Sequence, residues 1–325
     1  MEGRLLNSSL AEIPLERDVS LKPYVTLRAG GKAESFAVAE TSNELADLAA
    51  AAQRLGVATC IFGWGSNILP SDDGVPGLVI LNNARRIAVA RSGEVLADAG
   101  CGFQELFLKT AQSNLRGLEF AVGIPGTVGG ALVSNAGAYR SCVSEFLTGI
   151  EIVQGGERRW VDPGFMEFSY RDSLLRRRNP PEVALIRIRM QLPMGNAIQI
   201  YDEAREYQRQ RISKQPPPAS AGSFFKNVND SSLASSLDKL PAPLQQAGVV
   251  PAGYLIEAAG LKGFRMGGAM LGARHANFML NVGNATAFEI RRLAEHAKEI
   301  VLAMFRVRLE EEVLYLGDWS SFGGA

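Results

Sequence analysis

Histidine and cysteine are scarce in this chain of 325 residues, and neither sign of charge is in excess. The two histidines, His275 and His296, are too few for an imidazole-based metal site or a routine Ser-His-Asp triad. The three cysteines, Cys60, Cys101 and Cys142, are far apart and odd in number. They make no metal-ligand spacing and no disulfide framework, so small buried hydrophobes are expected and no metal is. Lys plus Arg and Asp plus Glu both total 34, which argues against a delocalised basic surface for nucleic acid but leaves room for a local phosphate pocket. No window approaches the ~18 apolar residues of a membrane span. The opening MEGRLLNSSLAEIP lacks a positive region followed by an apolar run, so no secretory signal is expected. These absences predict a cytoplasmic protein with no membrane partner.

What is present is an ordinary folded composition, 46% hydrophobic and 21% charged, with a length that predicts two or three domains. Residues 1–22 read as an irregular lead-in. Ser35 opens a strand, Asn43 is placed to cap an Ala/Leu-rich helix ending at Gly56, and 57–62 reads as the next strand. Strands are expected at 78–81, 86–90 and 94–100, a helix over 103–114, and strands over 146–154 and 182–192, with Gly155-Gly156 at a hairpin-turn position. A helix over 199–213 is stopped by Pro216-Pro217-Pro218. Beyond it come a strand end at 222–227, a surface insertion over 229–250, a short helix at 252–260, a strand at 275–283, a long amphipathic helix over 286–305 and a final strand over 306–317. The class is α+β: a lead-in over 1–22, a glycine-rich binding domain over 23–195 with subdomains of about 23–85 and 86–195, and a C-terminal α/β domain over 196–325.

Two runs are poor in side chains. Gly63-Trp64-Gly65-Ser66-Asn67 follows a strand, where two glycines let backbone approach a ligand and successive N–H groups can face phosphate. It lacks the third glycine of a dinucleotide fingerprint and the Gly-Lys-Ser/Thr of a P-loop, and alone it is equally a tight turn. Gly123-Ile124-Pro125-Gly126-Thr127-Val128-Gly129-Gly130-Ala131, followed by Asn135-Ala136-Gly137-Ala138-Tyr139, calls either for a flat cofactor against the backbone or for closely crossing elements. Together the runs favour one dinucleotide gripped by two loops. Arg171, in Phe168-Ser169-Tyr170-Arg171-Asp172-Ser173, could fork onto a carboxylate, although Arg176, Arg177 and Arg178 follow and by itself it reads rather as an exposed residue of a basic stretch. Ser223, between Gly222 and two phenylalanines, could be a shielded acid or nucleophile, or a turn serine. Strand alternation would put Glu310 and Glu312 on one face with Glu311 opposite, or make a solvated acidic edge. His275 is expected to cap or pack.

Taken in order, these runs resemble the UDP-N-acetylenolpyruvoylglucosamine reductase family. Tyr24-Val25-Thr26-Leu27-Arg28-Ala29-Gly30-Gly31 through GWGSNIL looks like its first flavin segment, and GLEFAVGIPGTVGGALVSNAGAY is similar to its second. FSYRDSLLR, SAGSFFKN, AGYLIEAAGLKG, HANF and LEEEV follow in the family's order, so the resemblance spans about residues 20–317. It implies the FAD-binding fold of the vanillyl-alcohol oxidase/p-cresol methylhydroxylase type with a C-terminal α/β substrate domain. It implies non-covalent FAD, held through Gly63, Trp64, Gly65, Ser66, Asn67, Ile68, Gly123, Ile124, Pro125, Gly126, Thr127, Gly129, Gly130, Ala131, Asn135, Ala136 and Gly137. It also implies NADPH as co-substrate, no obligate protein partner, and reduction of UDP-N-acetylglucosamine enolpyruvate to UDP-N-acetylmuramate for peptidoglycan. Arg171 matches the family's catalytic arginine, Ser223 its proton donor and Glu312 its C-terminal glutamate; Tyr170, Lys226 and Asn227 match positions near substrate. Val228 replaces a usual proline, and Arg140 stands where glycine is common. Glu312 would either donate to the substrate carboxylate when protonated or orient Arg171 when ionised. An FAD-dependent oxidase of sugars or hydroxy acids explains the two loops but not the later runs; a non-catalytic nucleotide-binding scaffold explains neither Arg171, Ser223 nor Glu312.

Overall fold

The alanine-rich run after Thr41 has strong helical propensity and forms the helix Ser42–Arg54. Thr41, in extended backbone, caps it by accepting from the Glu44 N–H. Asn43, the expected cap, lies inside the first turn, and its side chain instead accepts from Arg158 at 2.7 Å. The helix buries Leu45, Leu48, Ala49 and Ala52 with Leu78, Ile80 and Ile186. The computed structural model describes residues 14–212 and 219–324, so the expected stop at Pro216-Pro217-Pro218 lies outside the described residues.

The chain divides into two compact units. The first comprises residues 1–19, 33–65 and 75–213. It holds a four-stranded sheet in the order Glu16–Ser20, Lys32–Ala39, Val75–Asn82, Thr59–Phe62, with the last three strands parallel. The strand Glu16–Ser20 and the 3-10 turn Lys22–Tyr24 show that the lead-in has regular structure close to its end. A five-stranded sheet follows the order Glu157–Val161, Leu147–Gln154, Ala184–Gln191, Glu94–Asp98, Ile87–Val89, antiparallel throughout. In Ala184–Gln191, Ile186, Ile188 and Met190 are buried while Arg187 and Arg189 point the other way, as a half-buried strand requires. Gly155 and Gly156, at φ 60° and 78°, make the hairpin turn whose two central residues need positive φ. The helix Phe103–Ala111 packs Phe103, Leu106 and Phe107 into the same core as Ile150, Ile152 and Ile188.

The second unit comprises residues 20–32, 66–74 and 214–325. Its four-stranded sheet runs Ser220–Ser223, Phe278–Asn281, Ala269–Leu271, Arg265–Met266. Thr286 and Glu289 form a capping box on the helix Ala287–Phe305, and Asp72 takes the Ala287 and Phe288 N–H groups. That helix buries Ile290, Leu293, Ala294, Ala297 and Val301, one stripe at helical spacing. The 229–250 stretch is not a featureless insertion. It folds as helices Ser231–Ser236 and Ala242–Ala247, closed by the pairing of Val228–Asn229 with Val249–Val250. The expected strand over 306–317 shortens to Leu314–Leu316, which pairs in parallel with Ile68–Pro70. The three cysteines are free thiols, Cys101 buried and Cys60 and Cys142 half-buried at the surface, and burial of the thiol pushes the pKa of both Cys101 and Cys60 up to about 12. Among the described residues, no helix is long and apolar enough to cross a membrane.

Candidate functional site

In the first unit the two glycine-rich runs meet. A Cβ on Gly63 would lie 2.3 Å from Thr127 Cγ2, well inside contact distance, so only glycine permits this approach. Thr127 is itself fixed: its hydroxyl caps the helix Val128–Val133 by accepting from Gly130. The second run is laced to the end of the Glu94–Asp98 strand. Phe103 N–H donates to the Gly126 carbonyl, Val128 N–H to Cys101 and Gly129 N–H to Ala99, at 2.7–2.9 Å. Gly102 has the indole edge of Trp64 where its Cβ would stand, at 2.8 Å. Gly63, Trp64, Gly65, Gly123, Ile124, Pro125, Gly126, Thr127, Gly129, Gly130 and Ala131 thus belong to one neighbourhood in which the two runs pack closely and the Trp64 ring is exposed.

Asn135 links this neighbourhood to the arginine turn. Held at φ 41°, it donates from Nδ2 to the Ser169 carbonyl at 2.9 Å, and its Oδ1 is buried without a partner among the described residues. Ser169 and Asp172 exchange backbone hydrogen bonds, which closes a tight turn with Tyr170 and Arg171 at its tip. Ser173, buried, donates to the Val133 carbonyl at 2.7 Å, so the turn is tied to the second glycine-rich run on both sides. Arg171 sits in the left-handed region at φ 53°, its guanidinium 6.0 Å from the centre of the exposed Tyr170 ring. Ala136 is buried, while Gly137 begins a short hairpin with Tyr139 and Arg140, at φ 55° and 68°, as its turn. Position 140 therefore has the backbone that glycine suits best.

In the second unit the serine and glutamate segments lie side by side. Gly222, at φ 76°, turns the chain into Ser223, after which Phe224 and Phe225 are buried. The Glu312 N–H donates to the Phe224 carbonyl and the Lys226 N–H to the Glu310 carbonyl, both at 2.8 Å. Asn67 donates to the Glu312 carbonyl at 2.9 Å and accepts, through its own carbonyl, the Leu314 N–H. Ser66, Asn67 and Ile68 thus begin the segment that seats Glu312. The acidic trio diverges: Glu310 is exposed and pairs with Lys226 at 3.3 Å, Glu311 pairs with Lys298 at 3.0 Å, and Glu312 is half-buried. Asn227 accepts the Ala252 N–H at 3.3 Å, at the start of the helix Ala252–Ala258.

One positioning residue was missed in the sequence. Asn277, buried, accepts the Phe225 N–H and donates to the Phe225 carbonyl, while its own carbonyl accepts the Phe224 N–H. Its signal was an amide directly before the apolar run Phe278-Met279-Leu280, a group that burial obliges to find partners. His275 accepts the Asn277 N–H and packs on Phe278, as expected of a capping and packing residue.

The FAD binding domain family matches residues 33–160, and the family of the UDP-N-acetylenolpyruvoylglucosamine reductase C-terminal domain matches residues 212–316. Fold and matches together define an α+β FAD-binding protein. Over 317 residues the chain is 36% identical to the UDP-N-acetylenolpyruvoylglucosamine reductase of Synechococcus sp. (strain JA-3-3Ab), covering 96% of this chain and 95% of that protein. Over 303 residues it is 37% identical to the reductase of that name from Acaryochloris marina, covering 92% of each. The crystal structure of UDP-N-acetylenolpyruvylglucosamine reductase (MurB) from Thermus caldophilus is 31% identical with a TM-score of 0.74, covering 94% of this chain and 99% of that one. The chain belongs to the UDP-N-acetylenolpyruvoylglucosamine reductase family.

Proposed function

We propose that this protein reduces UDP-N-acetylglucosamine enolpyruvate to UDP-N-acetylmuramate at the expense of NADPH, a step of peptidoglycan precursor synthesis in the cytoplasm. The observation that carries the reading is the family match along nearly the whole chain. The residues fit FAD: the two glycine-rich runs come together where Gly63 admits Thr127, and the buried Asn135 Oδ1 is an acceptor that a cofactor N–H or hydroxyl would satisfy. Gly63 to Ile68, Gly123 to Ala131 and Asn135 to Gly137 would hold it. When bound, FAD supplies the hydride, recharged by NADPH.

The substrate is an alkene conjugated to a carboxylate, so reduction at its terminal carbon builds negative charge on the adjacent carbon and the carboxylate oxygens. Arg171 is the fixed cation for that charge, and its turn is anchored through Asn135 and Ser173. Ser223 delivers the proton to the adjacent carbon. A hydroxyl is a weak acid, but the carbanion-like centre is a strong base, and positioned proton donation contributes typically about 10²–10⁴-fold. Glu312 is the third group, seated through Asn67 and Phe224. Tyr170 and Lys226 are assigned to substrate binding, as is Asn227 through the part of its amide not used on Ala252.

The test is an assay of purified protein. A yellow protein whose NADPH oxidation depends on the enolpyruvyl sugar nucleotide is expected. Oxygen consumption with sugars or hydroxy acids, without that dependence, would instead identify an oxidase.

A further inference from the structure

The helix Ala197–Ile212 ends its described length with a cation that the preceding chemistry does not use. The Arg211 stem fills the space beside Gly123 in the second glycine-rich run, its Cδ 3.0 Å from where a Cβ would stand. One Nη donates a long 3.4 Å hydrogen bond to the Phe120 carbonyl. The guanidinium carbon lies 5.7 Å from the centre of the Tyr139 ring, which stacks face to face on Tyr207 at 3.7 Å. The Arg211 Nε is buried and has no partner among the described residues. Among the described residues no carboxylate pairs with the guanidinium; beside it lie the Tyr139 hydroxyl, which favours the charge, and the like charge of Arg171, which opposes it.

A plug for Gly123 needs only methylenes. A guanidinium adds a buried charge that favours its place only when an anion meets it. Burial lowers the Arg211 pKa from its ordinary value, Tyr139 offsets part of that, and Arg171 adds to the lowering. Burial and the like charge both oppose an added cation at this place unless an anion arrives. The Tyr139–Tyr207 stack makes a rigid floor, which pre-organises the fork in the manner that bidentate recognition of carboxylate or phosphate uses.

We propose that Arg211 is a second anion-binding residue beside Arg171, taking a carboxylate or phosphate oxygen of the sugar-nucleotide substrate. This rests on the function proposed above, where Arg171 meets the same substrate. It assigns the end of the Ala197–Ile212 helix to substrate affinity rather than to the chemical step.

The test compares wild-type holoenzyme with Arg211→Gln and Arg211→Lys in steady-state turnover and in flavin content. Arg211→Gln is expected to raise the KM for the enolpyruvyl sugar nucleotide about tenfold or more, with kcat within about threefold and flavin content unchanged. Arg211→Lys, which keeps a charge and a stem but loses the fork, is expected to fall between. An unchanged KM in Arg211→Gln overturns the proposal. So does loss of bound flavin with KM retained, which would place the anion on the cofactor. If Arg211→Gln yields no folded holoenzyme, Arg211→Lys decides: a raised KM supports the role and an unchanged one overturns it. Wild-type turnover is the control that separates the two readings. Absent turnover of the sugar nucleotide removes the proposed function and this role with it, whereas normal turnover with an unchanged KM removes only the role of Arg211.

Discussion

The glycine-rich neighbourhood of the first unit and the serine–glutamate neighbourhood of the second are built in opposite ways. The first depends on side chains that are missing: Gly63 against Thr127, Gly102 against Trp64, and Gly129 against the Ala99 carbonyl. The second depends on amide side chains that are present: Asn67 on Glu312, Asn277 on Phe225, and Asn281 on the Leu27 carbonyl. Where two glycine-rich runs cross this closely, no side chain can stand between them. A surface that must hold a serine and a glutamate at fixed positions needs clamps. The first should fail when atoms are added and the second when hydrogen-bonding groups are removed.

The largest effect is expected in the second unit. Asn277→Leu keeps the volume but leaves the Phe225 N–H and carbonyl unpaired in a buried place. At about 1–3 kcal/mol for each stranded group, the loss should be about 2–6 kcal/mol, read by denaturant unfolding. A loss under about 1 kcal/mol would mean that the amide is not a clamp. The matching change in the first unit is Gly63→Ala, which adds one methyl where Thr127 already stands. Overpacking of this kind costs about 1–3 kcal/mol, and bound flavin should fall more steeply than stability. Thr127→Ser, which removes the nearest methyl carbon, should restore part of the flavin in the double variant.

Away from both neighbourhoods, Glu151 is a control on what ordinary charge burial contributes. Its carboxylate sits in the five-stranded sheet between Arg158, at 2.9 Å, and Arg187, at 2.5 Å. Burial raises its pKa, but hydrogen bonds from Arg187 and then Arg158 outweigh that and lower it below the ordinary value. A lowered folded pKa stabilises the protein above the unfolded value of about 4.3, and that stabilisation is lost as pH falls through the folded value. Glu151→Gln should therefore cost roughly 1–2 kcal/mol at neutral pH, since both arginines reach solvent. The difference from wild type should shrink below about pH 4. Melting curves from pH 7 downward check it; a difference that grows in acid would contradict the pairing. The smallest effect is at the hairpin turn, where Arg140 holds φ 68° without being glycine. Arg140→Gly should stabilise by roughly 0.5 kcal/mol, the strain relieved at about 1–2 kcal/mol less the added freedom of the unfolded chain. Calorimetry on the two proteins measures it.

The contrast also explains what the sequence made legible. Missing side chains are visible in a sequence, so both glycine-rich runs could be marked before any fold was known. The Thr286 start of the long helix was equally plain, because Glu289 completes a capping box in the expected spacing. Clamps are less visible. Thr41 and Asn43 can each cap a helix, and the choice fell to Thr41 while Asn43 met Arg158, a residue 115 positions away. Glu310, Glu311 and Glu312 share a composition but not a fate; Lys226 and Lys298 take two of them, and those partners come from other elements. The short helices within 229–250 escaped notice because six-residue helices carry almost no periodicity. The specific reaction came from the order of the runs, which residue physics alone does not supply.

The most direct test of the account is Ser223→Ala, followed through the two half-reactions by rapid mixing. Reduction of bound flavin by NADPH should stay within about threefold of wild type, whereas oxidation of the reduced protein by the enolpyruvyl sugar nucleotide should slow by about 10²–10⁴-fold. Equal slowing of both half-reactions, or no slowing of the second, would contradict Ser223 as the proton donor.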